Sequence, residues 1–432
     1  MAPQLMTPTD AAALLRPADR LGIPLGPGQP SAFLHALGDR DDWTELTVFG
    51  ALLVDLYAVF TKPGVRYLSG FFGPAERFLV DSGANVEFVP ADFRRFTRIA
   101  EQLAPRIVAT VATPPDADGF VSLSLHAGAT VEAIRSAAAD PNRVLIVETN
   151  AKFPRTRGLL PDHPHRIHVN AIDVVIESDR DPFVLAEVAP GDMDRAIAAH
   201  VTPLVPDGAT LQTGIGGIPS TIVGLLADGP GGDYGIHSEM FTTGLMHLHQ
   251  AGKVTNARKG QYEGVSITTF AAGTLELYEW LDGNEVVAFL PVDVVNAPEV
   301  IARNETMITL NGAITVDLHG QVVADTIGGR QFSGIGGHED FIAPSGLSLD
   351  DRSLICLPST AVVAGTAVSR IVHQLPVGSI VTTPRHQLDL VVTEHGVAHL
   401  RGRSVRERAL ALAEISDPQF RDELLALAAT TS

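Results

Sequence analysis

The sequence predicts an α/β protein with open, mainly parallel sheets arranged in two domains. Three observations predict it. Short Val- and Ile-rich runs alternate with helical stretches through the first part of the chain. After a polar, proline-bearing stretch at 183–194 the alternation begins again. The chain has 432 residues, of which 45% are hydrophobic and 19% charged, enough apolar side chains for large cores. Strand–helix alternation is the pattern of parallel sheets crossed over by helices, and the length fits about two or three domains. The boundary is expected near residue 188, giving domains 1–188 and 189–432.

Taken in order, RLGIPLG at 20–26 reads as a strand ending in the turn Gly26-Pro27-Gly28. VEFVP (86–90), RIVATVAT (106–113), RVLIVETN (143–150) and DVVIESD (173–179) are further strands, rich in β-branched residues. SAFLHALGDR (31–40), PAERFLVDSG (74–83) and ATVEAIRSAAAD (129–140) read as the helices between them. The second series starts with the helix DRAIAAHVTPLV (194–205) and the strand GATLQTG (208–214). It continues through HQAGKVTN, SITTF, VVAFLPVDVV, MITLNGAITVDL, SLICLP, SIVTTP and LDLVVTEHG. From Ser404 the chain reads as helices, with Asp417-Pro418 between them.

Charge and composition exclude several classes. Lys plus Arg is 31 and Asp plus Glu is 50, a formal net charge of −19. Such a surface repels nucleic acid and anionic lipid, so neither is expected as a partner. Cys356 is the one cysteine, which excludes an internal disulfide and a Cys-rich zinc module; in SLICLPS it reads as a buried, inert thiol. His163, His165 and His168 cluster in DHPHRIHVN, but their spacing with the intervening proline does not gather three imidazoles, and they read as surface loop residues. No metal site is expected. The N-terminus lacks a basic region before an apolar core, and no run of about 18 apolar residues occurs. A cytoplasmic protein without membrane spans is the expectation.

Four motifs carry possible chemistry. Gly214-Ile215-Gly216-Gly217-Ile218-Pro219 joins the strand ATLQT to the helix STIVGLLADG, where backbone N–H groups can face an anion or a developing oxyanion; a tight turn without a ligand reads equally well. Pro219 departs from the dinucleotide pattern G-x-G-x-x-G. In Asp233-Tyr234-Gly235-Ile236-His237-Ser238-Glu239-Met240-Phe241, one carboxylate lies among apolar residues. Desolvation would make Glu239 a better nucleophile or base; the bland reading is a glutamate at a helix start with Ser238 as cap. Ser333–Phe341 presents a second glycine turn, with Arg330 just before it. Thr382-Thr383-Pro384-Arg385 and Val391–Ala398 place polar residues at the end of a strand, where α/β folds hold ligands. A Ser–His–Asp hydrolase lacks its G-x-S-x-G.

These stretches resemble the acetyl-CoA hydrolase/transferase family. LQTGIGGIPS (211–220), DYGIHSEMFTTG (233–244), QVVADTIGGRQFSGIGGHEDF (321–341) and VTTPRHQLDLVVTEHGVAHLRGRS (381–404) carry the resemblance. NAPEV, LNGAITVDLHG and SDPQF extend it in the second half, and RLGIPLGPGQP, GVRYLSGFFGP and GFVSLSLHAG in the first. The resemblance implies two similar open α/β domains with the active site between them. It implies that the Glu of G-I-H-[ST]-E-M, here Glu239, is a covalent nucleophile. It assigns the oxyanion hole and the CoA thioester pocket to the two GIGG turns: Gly214, Ile215, Gly216 and Gly217 with Gln212 beside them, and Gly334, Gly336 and Gly337. The family's T-E-Y-G-[VI]-A, with an acidic residue shortly after, has His395 and His399 here, so no acyl-pocket or hydroxyl-donor role is carried to those two positions.

The implied reaction is ping-pong transfer of CoA between a short acyl-CoA and a carboxylate such as acetate, through a glutamyl-CoA thioester. Coenzyme A is then a substrate, no tightly bound cofactor is needed, and a homodimer or a higher multiple is the expected assembly. Lys259, Arg330 and Arg385, in or beside the matched stretches, are candidate contacts for the CoA phosphates. Hydrolysis of acyl-CoA by the same glutamate is the alternative enzyme reading. A silent CoA-binding protein and a dinucleotide enzyme resting on 214–217 are the remaining ones.

Overall fold

The computed structural model describes residues 2–346 and 348–431. The chain forms two compact units. The first takes the chain up to Ala186 together with Ile267–Ala297; the second takes Glu187–Ser266 and the chain from Pro298 onward. The chain thus leaves the first unit close to the sequence boundary at 188, and it also returns there for 267–297, an excursion with no counterpart in the reading of two consecutive domains.

The first unit is built on an eight-stranded sheet in the order Gln4–Met6, Val174–Ser178, Val144–Asn150, Ile107–Ala112, Ala18–Leu25, Glu45–Ala51, Val65–Ser69, Val86–Phe88. Every neighbouring pair is parallel. The central strand Ile107–Ala112 is buried along its whole length, as expected when helices cover both faces of a parallel sheet. Ser31–Gly38, Pro74–Asp81 and Val131–Ala139 are the helices the sequence predicts. Glu45–Ala51 and Val65–Ser69 are strands it does not.

The histidine cluster lies in this unit, and one member corrects the sequence reading. His165 is buried, stacks on Phe289 at 5.2 Å and donates from Nε2 to Ser124 O at 2.8 Å. Burial pushes its imidazole down to about 4, so it is a neutral core residue rather than a surface one.

The second unit is built on a six-stranded sheet in the order Gly235–Ile236, Thr210–Thr213, Met307–Gly312, Arg352–Cys356, Leu390–Thr393, Gly396–His399. Only the last pair is antiparallel. Its core includes Ile355, Val391, Leu412 and Leu424. The terminal helices Val405–Glu414 and Pro418–Thr430 begin where the sequence places them: Ser404 and Glu407 form a capping box, and Asp417 caps Gln419 N at 2.8 Å ahead of Pro418. SIVTTP is not a ladder strand; it meets Val322 through the isolated bridge at Thr383. HQAGKVTN is the end of the helix Thr243–Gln250 and the turn after it. Among the described residues no helix is long and apolar enough to cross a membrane.

Candidate active site

Two turns leave the second sheet side by side. Strands Thr210–Thr213 and Gly235–Ile236 run parallel, with Thr210 opposite Gly235 and Leu211 opposite Ile236. Their carboxyl ends therefore emerge together, the edge at which open α/β sheets bind ligands. One continues into Gly214-Ile215-Gly216-Gly217, the other into His237-Ser238-Glu239.

The Glu239 turn is fixed from several sides. His237 N donates to Leu211 O at 3.1 Å, and Ile236 N to Asn256 Oδ1 at 2.9 Å. The buried Ser238 hydroxyl donates to Thr213 O at 3.1 Å and accepts the Thr213 N–H at 3.3 Å. Gly235 is required by close approach: a Cβ there would stand 2.4 Å from Lys259 Cγ. Ser238 is no helix cap. The next helix begins at Thr243, with Thr242 as its cap. Glu239 itself is half-buried, between buried Ser238 and the buried pair Met240 and Phe241. A carboxylate set in a turn among apolar neighbours is partly stripped of water, which raises its reactivity.

The glycine turn is open to approach. Gly216 has φ +118° and ψ 174°, a conformation essentially reserved for glycine, and precedes the twelve-residue helix Gly217–Asp228 without a side-chain cap. Unsatisfied N–H groups at that helix start favour an anion. A cavity of about 300 Å³ opens here, walled by Gly214–Pro219, Ile222, Leu310–Ala313, Cys356 and Pro358, with Asp194 and Arg370 as its charged residues. Gln212 lies just behind it, buried, and accepts from Asn311 Nδ2 at 3.3 Å. Burial pushes the Cys356 thiol up to about 12, consistent with the inert role read from sequence.

The third and fourth motifs are joined to each other, and the third to the second. His237 packs against Phe341 with ring centroids 6.3 Å apart. Gly336, at φ +56°, and Gly337 lead into the short helix His338–Ile342 that carries Phe341. Thr383 Oγ1 donates to Glu339 Oε1 at 2.5 Å and lies 2.8 Å from His338 Nε2. His395 lies 3.6 Å from Glu394 and 3.8 Å from Asp417, while His399 Nδ1 lies 3.4 Å from Arg352 on the edge strand.

The three proposed phosphate contacts fare differently. Lys259 is fully buried and donates to Val265 O at 2.7 Å, so its ammonium is not presented to a ligand at the surface. Burial also holds it down to about 7. Arg330 is exposed on the hairpin Thr326–Ile327/Arg330–Gln331, whose turn is Gly328-Gly329. Arg385 is exposed at a second cavity of about 340 Å³, beside Asp317, His319, Gln321 and Gln374. Arg370 is a residue that sequence reasoning misses. It stands in no motif, and only the fold brings it to the glycine turn.

Residues 273–428 match the model of the acetyl-CoA hydrolase/transferase C-terminal domain. The chain is 35% identical to a succinyl-CoA:cyclohexane-1-carboxylate CoA transferase of Geobacter metallireducens, over 98% of this chain and 94% of that protein. It is 37% identical to a 4-hydroxybutyrate coenzyme A transferase of Clostridium kluyveri, over 91% of this chain and 92% of that one. The crystal structure of RipA from Yersinia pestis matches the fold with a TM-score of 0.88 at 32% identity, over 98% of this chain and 96% of that chain.

Proposed function

We propose that this chain, which belongs to the acetyl-CoA hydrolase/transferase family, is a CoA-transferase that moves CoA from a short-chain acyl-CoA to a carboxylate acceptor, with Glu239 as the covalent nucleophile. One observation carries the reading: the Glu239 turn and the glycine turn leave neighbouring parallel strands and are tied together through Ser238 and Thr213.

Glu239 attacks the acyl-CoA carbonyl, and the C–S bond breaks to give a mixed anhydride and CoA thiolate. The thiolate attacks the glutamyl carbonyl, which forms the Glu239–CoA thioester and releases the first acid as its carboxylate. The acceptor carboxylate then attacks that thioester, expelling thiolate, which takes the acceptor acyl group and frees Glu239. No net proton is consumed. Each addition places negative charge on a carbonyl oxygen, and the N–H groups of Gly214–Gly217 and Gly334–Gly337 are the proposed donors to it. Binding energy from the nucleotide end of CoA helps hold the reacting end in place. The enzyme needs no tightly bound cofactor in this scheme, works in the cytoplasm, and assembles as a homodimer or a multiple of it.

The test is to follow acetyl-CoA loss and new acyl-CoA formation together, with propionate, butyrate, 4-hydroxybutyrate and succinate as acceptors, and to follow label incorporation into acetyl-CoA with isotope-labelled acetate. Transfer is expected to exceed hydrolysis with at least one acceptor, because a bound carboxylate has a high effective concentration in a site that restricts water. CoA release at one rate with every acceptor and with none would make the protein a hydrolase.

A further inference from the structure

We propose that the cavity beside the glycine turn is an anion subsite, in which Arg370 pairs with an oxyanion group of the substrate, either a carboxylate or a CoA phosphate. The inference rests on the CoA-transferase reading and adds a residue to it. The cavity walls are largely apolar, with Ile222, Leu310, Cys356 and Pro358 among them, and Arg370 is its cation. The Arg370 backbone is clamped on both sides: its N–H donates to Ser359 O at 2.8 Å, and its carbonyl accepts Val316 N at 2.9 Å. Its side chain is half-buried, and among the described residues the guanidinium makes no hydrogen bond and no ion pair.

The two nearby acids are otherwise engaged. Glu394, whose charge acts on Arg370, gives one oxygen to Ser359 N at 2.9 Å and the other to Ser359 Oγ at 2.6 Å. Asp194 Oδ2 accepts Gly191 N at 2.8 Å, capping its own helix. A partly desolvated guanidinium without a bidentate partner is unfavourable until an oxyanion supplies one, and its planar fork fits carboxylate and phosphate alike. The uncapped start of Gly217–Asp228 opens on the same cavity and favours the same sign of charge.

The experiment measures Michaelis constants for the wild type, Arg370→Lys and Arg370→Gln with two donors, acetyl-CoA and acetylpantetheine, which lacks the phosphates, and with isotope-labelled acetate as acceptor, its incorporation into the donor thioester being the readout. A Michaelis constant does not depend on the fraction of enzyme folded, so partial loss of stability does not obscure the result. If the anion is a phosphate, Arg370→Gln raises the acetyl-CoA constant about tenfold or more and leaves that of acetylpantetheine unchanged. If it is a carboxylate, the acetate constant rises by that factor with both donors. In either case Arg370→Lys, which keeps the charge and loses the fork, falls between. Wild-type transfer with all constants within about twofold in both variants overturns the subsite alone. Absence of transfer by the wild type contradicts instead the reading on which the subsite rests.

Discussion

Ser238 Oγ lies 3.1 Å from Thr213 O and accepts the Thr213 N–H at 3.3 Å, so one hydroxyl joins the residue before Glu239 to the residue before the glycine turn. Both residues are buried. Removing the hydroxyl deletes both of these buried hydrogen bonds, at a cost of about 1–3 kcal/mol. Ser238→Ala is expected to lower kcat about tenfold, the equivalent of ~1.4 kcal/mol, with the acyl-CoA Michaelis constant little changed. Ser238→Thr, which keeps the hydroxyl, should restore it. An unaltered kcat in Ser238→Ala would remove this bond from the mechanism.

Gly216 offers a second test. Its φ of +118° leaves room for a Cβ, with Pro219 Cδ 4.0 Å away, so any penalty is backbone strain rather than crowding. Gly216→Ala should lower unfolding free energy by about 1–3 kcal/mol and slow transfer by re-aiming the N–H groups of the turn. Equilibrium denaturation and kcat read the two effects separately; wild-type values for both would show that the turn does not need this conformation.

Much of this arrangement is legible in the amino-acid sequence itself. The strands RIVATVAT, RVLIVETN and DVVIESD are continuous β-branched runs, the form that strands buried on both faces take. Glu45–Ala51 and Val65–Ser69 escape because Glu45, Thr47 and Gly50 interrupt the one and Arg66 the other, leaving no continuous β-branched run. The return of 267–297 to the first unit escapes too, since SITTF and VVAFLPVDVV continue the same alternation without a break in composition. Glu239 and the glycine turns are readable because each is a local motif. Arg370 is not, because it reaches the cavity only through the packing around Met307–Gly312 and Arg352–Cys356. Lys259 shows the converse: it neighbours a motif in sequence, yet it is buried against the Gly235 backbone with its Nζ donating to Val265 O.

Lys259 gives a pH signature. Its folded value of about 7 lies below the ordinary 10.5, with burial as the cause. The penalty for burying the charge is therefore complete below about pH 7 and is relieved as pH rises toward 10.5, where the unfolded chain still holds the proton and the folded one does not. Stability owed to this group rises with pH through that window, by at most about 1.4 kcal/mol per pH unit. Urea denaturation of wild type and Lys259→Met at about pH 6, 7, 8 and 9 should show the difference shifting in favour of the wild type above pH 7. A pH-independent difference would contradict the assignment.

Cys356 borders the cavity, yet burial pushes its thiol up to about 12. Iodoacetamide at about pH 8 is expected to leave the native protein unmodified and to alkylate it in denaturant, because the thiolate is the reactive form. Rapid alkylation of the native protein with loss of transfer would place a reactive thiol in the site.

The nucleophile is the central claim, and the bond it forms is its most direct test. Wild-type protein incubated with acetyl-CoA and no acceptor, then digested and analysed by mass spectrometry, should carry CoA on the peptide containing Glu239. Glu239→Ala should carry none. An adduct that persists in Glu239→Ala, or that maps to another residue, would contradict the account.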